Sequence, residues 1–236
     1  NDEIGTLDRY FNRMVGKLKE LINENYIQKL RNNEAELLAL QAQINPHFLY
    51  NTLDLVDSMA SVYGCRDINT VVKSMADLFR YSINSDQREF VTLGEEINHA
   101  EKYLNIQKVR YEGRFDVFFN IPEELMYCKV LKLIIQPIVE NALYHGIFQK
   151  GNGGIIRISA ALEGSDVMIE VSDNGVGMDE CKLNQVMLYI NGENDSFDSK
   201  YKKSIGLLNV NTRLKLKFGE KYGVSIKSKP HAGTGI

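Results

Sequence analysis

Apolar side chains recur at Ile4, Leu7, Phe11, Met14 and Leu18, a 3-4-3-4 spacing that lays one seam along a helix. The seam then steps by fours through Ile22, Tyr26 and Leu30, and Leu37, Leu40 and Ile44 resume the alternation with Asn33 in the intervening position. A run of fours is the trace of a four-residue insertion in a heptad pattern, and it unwinds a supercoil locally. Residues 1–45 contain no proline and only two glycines, Gly5 and Gly16. The pattern predicts a long helix. It is either packed on a globular core or, in better keeping with so long a seam, the stalk of a parallel dimer.

Two further helices are expected over 46–61 and 67–83, turning at Tyr63, Gly64 and Cys65. They suit an antiparallel hairpin, and two such hairpins would make a four-helix bundle. Residues 85–88 read as a linker, and 95–110 as a helix with Ile97, Tyr103, Leu104 and Ile106 as its apolar contacts. From Arg114 the texture changes. Residues 115–121 alternate as a strand does and stop at Pro122, while 130–148 read as helix despite Pro137. Strands are expected over 155–162 and 167–172, about a turn at 163–165. Residues 173–204, rich in Gly, Asp and Asn, read as a mobile loop with a short helix near Leu183, followed by a helix over 205–218 and a strand over 224–228. The fold class implied is α+β: helices first, then an α/β sandwich from about residue 112.

The 236 residues suffice for one large domain or two small units. With 44% hydrophobic and 25% charged residues the chain is neither disordered nor fibrous. A net charge of −3 with Lys and Arg spread along the chain argues against nucleic acid as a main partner. Cys65, Cys128 and Cys181 are odd in number and far apart, so they suit buried or incidental thiols rather than a disulfide framework or zinc site. No apolar run approaches the ~18 residues of a membrane span; the longest, 131–139, is broken by Lys132, Gln136 and Pro137. The sequence begins at Asn1 without methionine and ends on Gly235 and Ile236 in apparent mid-strand, so both ends are expected to be cuts in a longer chain.

Four motifs carry chemistry, in a fixed order: QAQINPHFLYNTL at 41–53, QPIVENALYHG at 136–146, DNGVGM at 173–178 and SIGLLNVNTRL at 204–214, trailed by Gly233, Thr234 and Gly235. No GxxxxGK[ST] loop and no HRD or DFG accompanies them. His99 and His231 have no matching metal partners and read as surface or structural residues.

Over essentially its whole length the sequence resembles sensor histidine kinases of the LytS/YesM type. The first motif resembles their phosphoacceptor box, and the other three the N, G1 and G2 boxes of a GHKL-type (Bergerat-fold) ATPase domain. Residues 2–14 resemble the end of a HAMP signalling module. The resemblance implies three regions: a HAMP end and signalling coiled coil over 1–25, dimerisation and phosphoacceptor helices over 26–111, and an ATP-binding domain over 112–236. It implies a homodimer that autophosphorylates on His47 with ATP and Mg2+ and passes the phosphoryl group to a response regulator. It also implies attachment to the membrane through a segment preceding Asn1, which makes the chain the cytoplasmic portion of a bacterial membrane protein.

The residues suit those roles. Histidine titrates near ~6.5 in water, so at pH 7 most imidazoles offer a free lone pair, a competent nucleophile toward phosphorus. A lone His on a helix seam more often merely packs; its place in a thirteen-residue match favours the nucleophile at His47. Asn51, one helical turn on, suits either a water-orienting phosphatase role or a plain helix-surface hydrogen bond. Phe48 stands where other subfamilies carry an acidic base, so the base is unassigned: Glu140, beside the nucleotide motif, is one candidate, and the alternative is that a His already neutral needs only orientation. A carboxylate next to a carboxamide suits Mg2+, which takes few protein ligands, and by resemblance Asn141 is the metal ligand. Many relatives place a basic residue three positions further on. Here that position is Tyr144, and His145, next to it, is the candidate phosphate contact.

Asp173 closes an apolar strand where resemblance puts the carboxylate that binds the adenine amino group, with Gly175 and Gly177 allowing close backbone approach. Gly206 and Leu207 open a helix whose N–H groups suit phosphates, and Gly233 and Thr234 resemble the turn that closes the adenine site. Two rivals fit part of this pattern. A GHKL ATPase acting as a conformational clamp leaves residues 45–47 unexplained, and a nucleotide-binding pseudokinase scaffold draws support only from Tyr144.

Overall fold

The computed structural model describes residues 46–83, 88–151, 153–192 and 205–236. By internal packing the chain divides into Asn1–Asn51 and Thr52–Ile236. The seam of residues 1–45, with its run of fours, its HAMP-like start and the boundary at 25, lies outside the described residues, as do 85–87 of the expected linker and 193–204 of the expected loop.

Helix α1, Pro46–Val62, and helix α2, Arg66–Ile83, match the two helices read from the sequence to within a residue. Gly64 at φ 69° makes the turn between them. The Cys65 N–H donates to Ala60 O (2.9 Å), and Asn69 Nδ2 donates to Asp57 O (2.9 Å), tying the hairpin at its closed end. Strand β1, Phe90–Thr92, leads into helix α3, Leu93–Arg110. A reciprocal capping box starts that helix: Glu95 N–H donates to Thr92 Oγ1 (3.2 Å) and Thr92 N–H to Glu95 Oε2 (2.7 Å).

Strand β2, Phe115–Asn120, precedes a 3₁₀ turn and strand β3, Lys129–Leu131, which pairs antiparallel with β1, Val130 opposite Val91. Here the structure corrects the expected helix over 130–148. Val130 and Leu131 are apolar without period, which serves a buried strand as well as a helix, and the ladder with β1 decides. The helix itself, α4, is Ile135–Asn141, so Pro137 falls in its first turn, where no N–H is needed. It continues through a π-helical stretch, Ala142–Ile147, into the short α5, Phe148–Lys150.

Strands β4, Gly154–Glu163, and β5, Asp166–Asp173, form a hairpin at the centre of a five-stranded sheet of order β2-β4-β5-β7-β6, in which β6 is Lys227–Lys229 and β7 is Gly233–Gly235. Strand β2 runs parallel to β4, and the other neighbours are antiparallel. Ile156, Ile158, Ala160 and Val171 bury the inner face, alternating with exposed Arg157 and Glu170 on the outer one.

Helix α6, Glu180–Ile190, runs eleven residues where only a short helix was expected. Asp179 caps it, accepting from Lys182 N–H (2.8 Å). Helix α7, Ile205–Phe218, has the expected bounds. The last strands are β6, Lys227–Lys229, and β7, Gly233–Gly235. The strand expected over 224–228 therefore starts late, because Val224 N–H is taken by Asn211 Oδ1 (2.9 Å) instead of a neighbouring strand. Among the described residues no helix is long and apolar enough to cross a membrane.

The junction before α4 is held by side chains from three other elements. Helix α4 has no cap of its own. Glu96 of α3, only 1% exposed, supplies one: Leu133 N–H donates to Oε1 (2.7 Å), and Ile134 and Ile135 N–H donate to Oε2 (2.9 and 3.1 Å). The Tyr81 hydroxyl of α2 donates to Oε1 as well (2.6 Å). Arg213 of α7 donates to Lys132 O (2.7 Å). Hydrogen bonds to a charged group are worth roughly 1.5–3 kcal/mol each, enough to hold Leu133 at φ 60°, a conformation a branched side chain rarely adopts.

Candidate active site

His47 and Asn51 lie one turn apart near the start of α1, both exposed. Asn51 Nδ2 is 3.2 Å from His47 Nδ1. With the amide NH2 toward the ring, Nδ1 accepts and the ring proton sits on Nε2. With the carbonyl turned to the ring, Nδ1 keeps the proton and Nε2 presents its lone pair. One carboxamide can thus select the tautomer of this imidazole.

The second unit holds a cavity of about 380 Å³. Asn141, His145, Gln149, Asp173, Lys182 and Thr234 give it polar surface. Ala142, Met178, Val186, Leu207, Ile226 and Ile236 give it apolar walls. Asp173 lies at the C-terminal end of β5, where Gly175 N–H donates to Oδ1 (2.7 Å). Burial raises its pKa above the ordinary 3.8, against the opposing pull of the Gly175 and Thr234 amides and of Lys150. An acid in a mostly apolar hollow, with one oxygen anchored by backbone, suits recognition of a planar polar group.

Two glycine contacts make the hollow possible. A β-carbon on Gly146 would overlap the Asp173 carboxylate, and one on Gly175 would overlap the Gly146 backbone, where Val176 N–H donates to Gly146 O (3.2 Å). The wide π-helical turn and the strand-end turn are pressed face to face, a use of π-helix common at functional sites. Beyond them, Gly233 sits at φ 95°, where a β-carbon would overlap Asp173 O. Met178 N–H donates to Ser228 Oγ (2.8 Å), which donates in turn to Gly233 O (3.0 Å). Asn174 of the same motif is structural: its Oδ1 accepts from Ile155 N–H (2.8 Å), tying the turn to β4.

Asn141 Nδ2 donates to Pro137 O (2.6 Å), which commits the NH2 to the helix and leaves Oδ1 as the atom that could take a cation. A single carboxamide oxygen fits Mg2+, a cation that keeps its waters and the nucleotide's phosphates as ligands. Among the described residues no group of three or more His, Cys, Asp or Glu could hold a metal by itself. Glu140, half-buried, is not among the cavity-lining side chains; it accepts from Gln136 Nε2 (2.9 Å). Tyr144 turns away from the cavity, its ring edge-on to Phe148 at 5.5 Å. Gly206 packs on Pro137, so the start of α7 abuts α4.

Six residues singled out from the sequence therefore line one cavity: Asn141, His145, Asp173, Gly177, Leu207 and Thr234. Gly175, Gly206 and Gly233 support it from behind. Sequence reasoning missed Gly146 as a close-packing residue, although its place at the end of the second motif was a signal. It also missed the walls Lys182, Val186 and Ile226, which belong to no motif.

A mixed sheet covered on one face by helices, with an acid at a strand end and a π-helical turn against it, defines a nucleotide-binding sandwich of the GHKL type. A family model described as histidine kinase matches residues 35–115, and one described as histidine kinase-, DNA gyrase B- and HSP90-like ATPase matches 129–236. Sensor histidine kinase YesM of Bacillus subtilis is 38% identical over 235 residues, 100% of this chain and 38% of that protein. Sensor histidine kinase BtsS of Escherichia coli K12 is 34% identical over 209 residues, 89% of this chain and 34% of that protein. The histidine kinase domain of the Erythrobacter litoralis EL346 blue-light activated kinase overlays with a TM-score of 0.45 at 14% identity, covering 80% of this chain and 90% of that one. The chain belongs to the sensor histidine kinases of the LytS/YesM type. It spans little more than a third of the length of these curated relatives.

Gly233→Ala is expected to cost more stability than Gly219→Ala. Both positions have positive φ, 95° and 102°, but a β-carbon meets the Asp173 backbone at the first and nothing within 4 Å at the second. Urea denaturation should show about 1 kcal/mol lost at Gly219 for conformation alone, and clearly more at Gly233.

Proposed function

We propose that this chain is the kinase core of a two-component sensor, which transfers the γ-phosphoryl group of ATP to His47 and from there to an aspartate of a response regulator. The observation that carries the reading is the Asp173 cavity with Asn141 at its edge, in a chain whose first motif supplies an exposed histidine. Residues 112–236 form the ATP-binding domain and 26–111 the dimerisation and phosphoacceptor helices, continuing a signalling coiled coil over 1–25. Helix α3, counted with the helices, packs Leu93, Ile97 and Leu104 into the core of the sandwich. The stripe Phe48, Leu55, Met59 and Val62 is exposed on α1 in the single chain, which supports a homodimer with a four-helix bundle. The chain is then the cytoplasmic portion of a membrane protein, anchored by a segment that precedes Asn1.

Asp173 accepts the adenine amino proton, while Gly175 and Gly177 let the backbone approach the ring and Gly233 and Thr234 close the site. His145 and the start of α7 at Gly206 and Leu207 face the phosphates, and part of the segment 178–204, carried on α6, forms the lid. Asn141 would hold Mg2+, which supplies charge neutralisation at the β- and γ-phosphates. The His47 Nε2 lone pair attacks phosphorus in line, a nitrogen–phosphorus bond forms, and the bond to the β–γ bridging oxygen breaks to release ADP. With its carbonyl turned to the ring, Asn51 holds the Nδ1 proton during attack, and afterwards it orients water for dephosphorylation. Glu140 is the candidate proton acceptor, reached when nucleotide and lid are in place.

With γ-labelled ATP the chain is expected to take up acid-labile label, and His47→Gln should abolish it. Hydrolysis without label would favour the clamp, and neither signal the scaffold. Nucleotide affinity should also depend on Asp173. Its raised pKa means the carboxyl gains its proton at a higher pH than a free aspartate. Affinity for a fluorescent ATP analogue should be full above that pKa and fall as pH drops through it, and Asp173→Asn should flatten the profile.

A further inference from the structure

Helix α4 is seven residues long and carries Glu140 and Asn141 at its far end, so their placement depends on how its first residues are held. Those residues are held by Glu96, which takes the N–H groups of Leu133, Ile134 and Ile135. A second path runs alongside. His99 Nε2 lies 2.6 Å from Gln136 Oε1, and Gln136 Nε2 donates to Glu140 Oε1 (2.9 Å). Because a carboxylate only accepts, Gln136 must turn its NH2 to Glu140 and its carbonyl to His99. His99 must therefore carry its proton on Nε2. Both paths meet at Tyr81 in the last turn of α2. Its hydroxyl donates to Glu96 Oε1, and its ring stacks on His99 with centroids 4.3 Å apart and 28° between planes. Burial keeps His99 neutral by lowering its pKa, and keeps the Tyr81 hydroxyl protonated by raising its own.

We propose that Glu96 and His99 are positioning residues for phosphoryl transfer: Glu96 fixes the start of α4, and His99, through Gln136, aims the Glu140 carboxylate. Tyr81 links both to the end of α2. The proposal rests on the reading that places Glu140 and Asn141 at the reacting centre. Neither Glu96 nor His99 lines the nucleotide cavity, so their effect should fall on the transfer step and not on nucleotide binding.

Autophosphorylation of His47 in the full chain tests this, with kcat, KM for ATP, affinity for a fluorescent ATP analogue and melting temperature read for each variant. His99→Phe keeps the ring stack and removes the donor. It should lower kcat about tenfold or more while nucleotide affinity stays within about twofold. In a Glu140→Gln background the same substitution should have little further effect, since both act on one carboxylate. Tyr81→Phe, the mildest change, should lower kcat a few-fold with the melting temperature nearly kept. Equal losses from His99→Phe in both backgrounds, or losses of kcat and affinity that merely track the melting temperature, overturn the proposal while His47 labelling stands. An unsubstituted chain that takes no label overturns the proposed function, and this proposal with it.

Discussion

A carboxylate sealed from water has to be surrounded by donors, and the donors around Glu96 are the first amides of the helix that carries the second motif. The arrangement solves two problems at once. Helix α4 begins in the interior without a cap of its own, and its free N–H groups would otherwise stay unpaired. Glu96 has nowhere else to place its charge. Removing one side of such a buried set leaves polar groups unmet at about 1–3 kcal/mol each, more for a charged one, a large fraction of the stability of an ordinary domain. The same residue touches α2 through Tyr81, so three elements far apart in sequence are fixed to one point.

From that point the rest of the site can be followed by contact. Arg213 clips α7 to Lys132, and Gly206 packs on Pro137, so the helix opening the fourth motif is set against α4. The π-helical turn after α4 brings Gly146 onto Asp173 and Gly175. Each of the glycine contacts is close because a side chain is missing. The cavity is thus the space left when two turns and two helices are forced together by glycine and held there by buried polar groups. The family to which the chain belongs uses this sandwich for nucleotides, which agrees with an acid and a carboxamide being the fixed polar features of the hollow.

Much of this was legible in the sequence. Helices over 46–61, 67–83 and 205–218 were visible from period and turn chemistry, and the strand before Pro122 from alternation. The motifs named most of the cavity, because glycines at strand ends and polar pairs on apolar helices are conspicuous. Missed were features that depend on partners distant in the chain. Val130 and Leu131 became strand because Phe90–Thr92 was there to pair with them, and no local pattern announces that. Glu96 and His99 looked like ordinary helix-face residues, since a carboxylate that caps a helix 39 positions away leaves no trace in its own neighbourhood. His99, read from the sequence as a surface or structural residue, proves to be structural and buried.

The anchoring of α4 by Glu96 can be measured directly by hydrogen exchange of single amides, followed by NMR. The N–H groups of Leu133, Ile134 and Ile135 have no partner in a helix ladder, so without Glu96 they would exchange like open turns. Protection at these three amides comparable to that of the buried positions of α3 is expected. Exchange as fast as at the exposed turn residue Gly164 would contradict it.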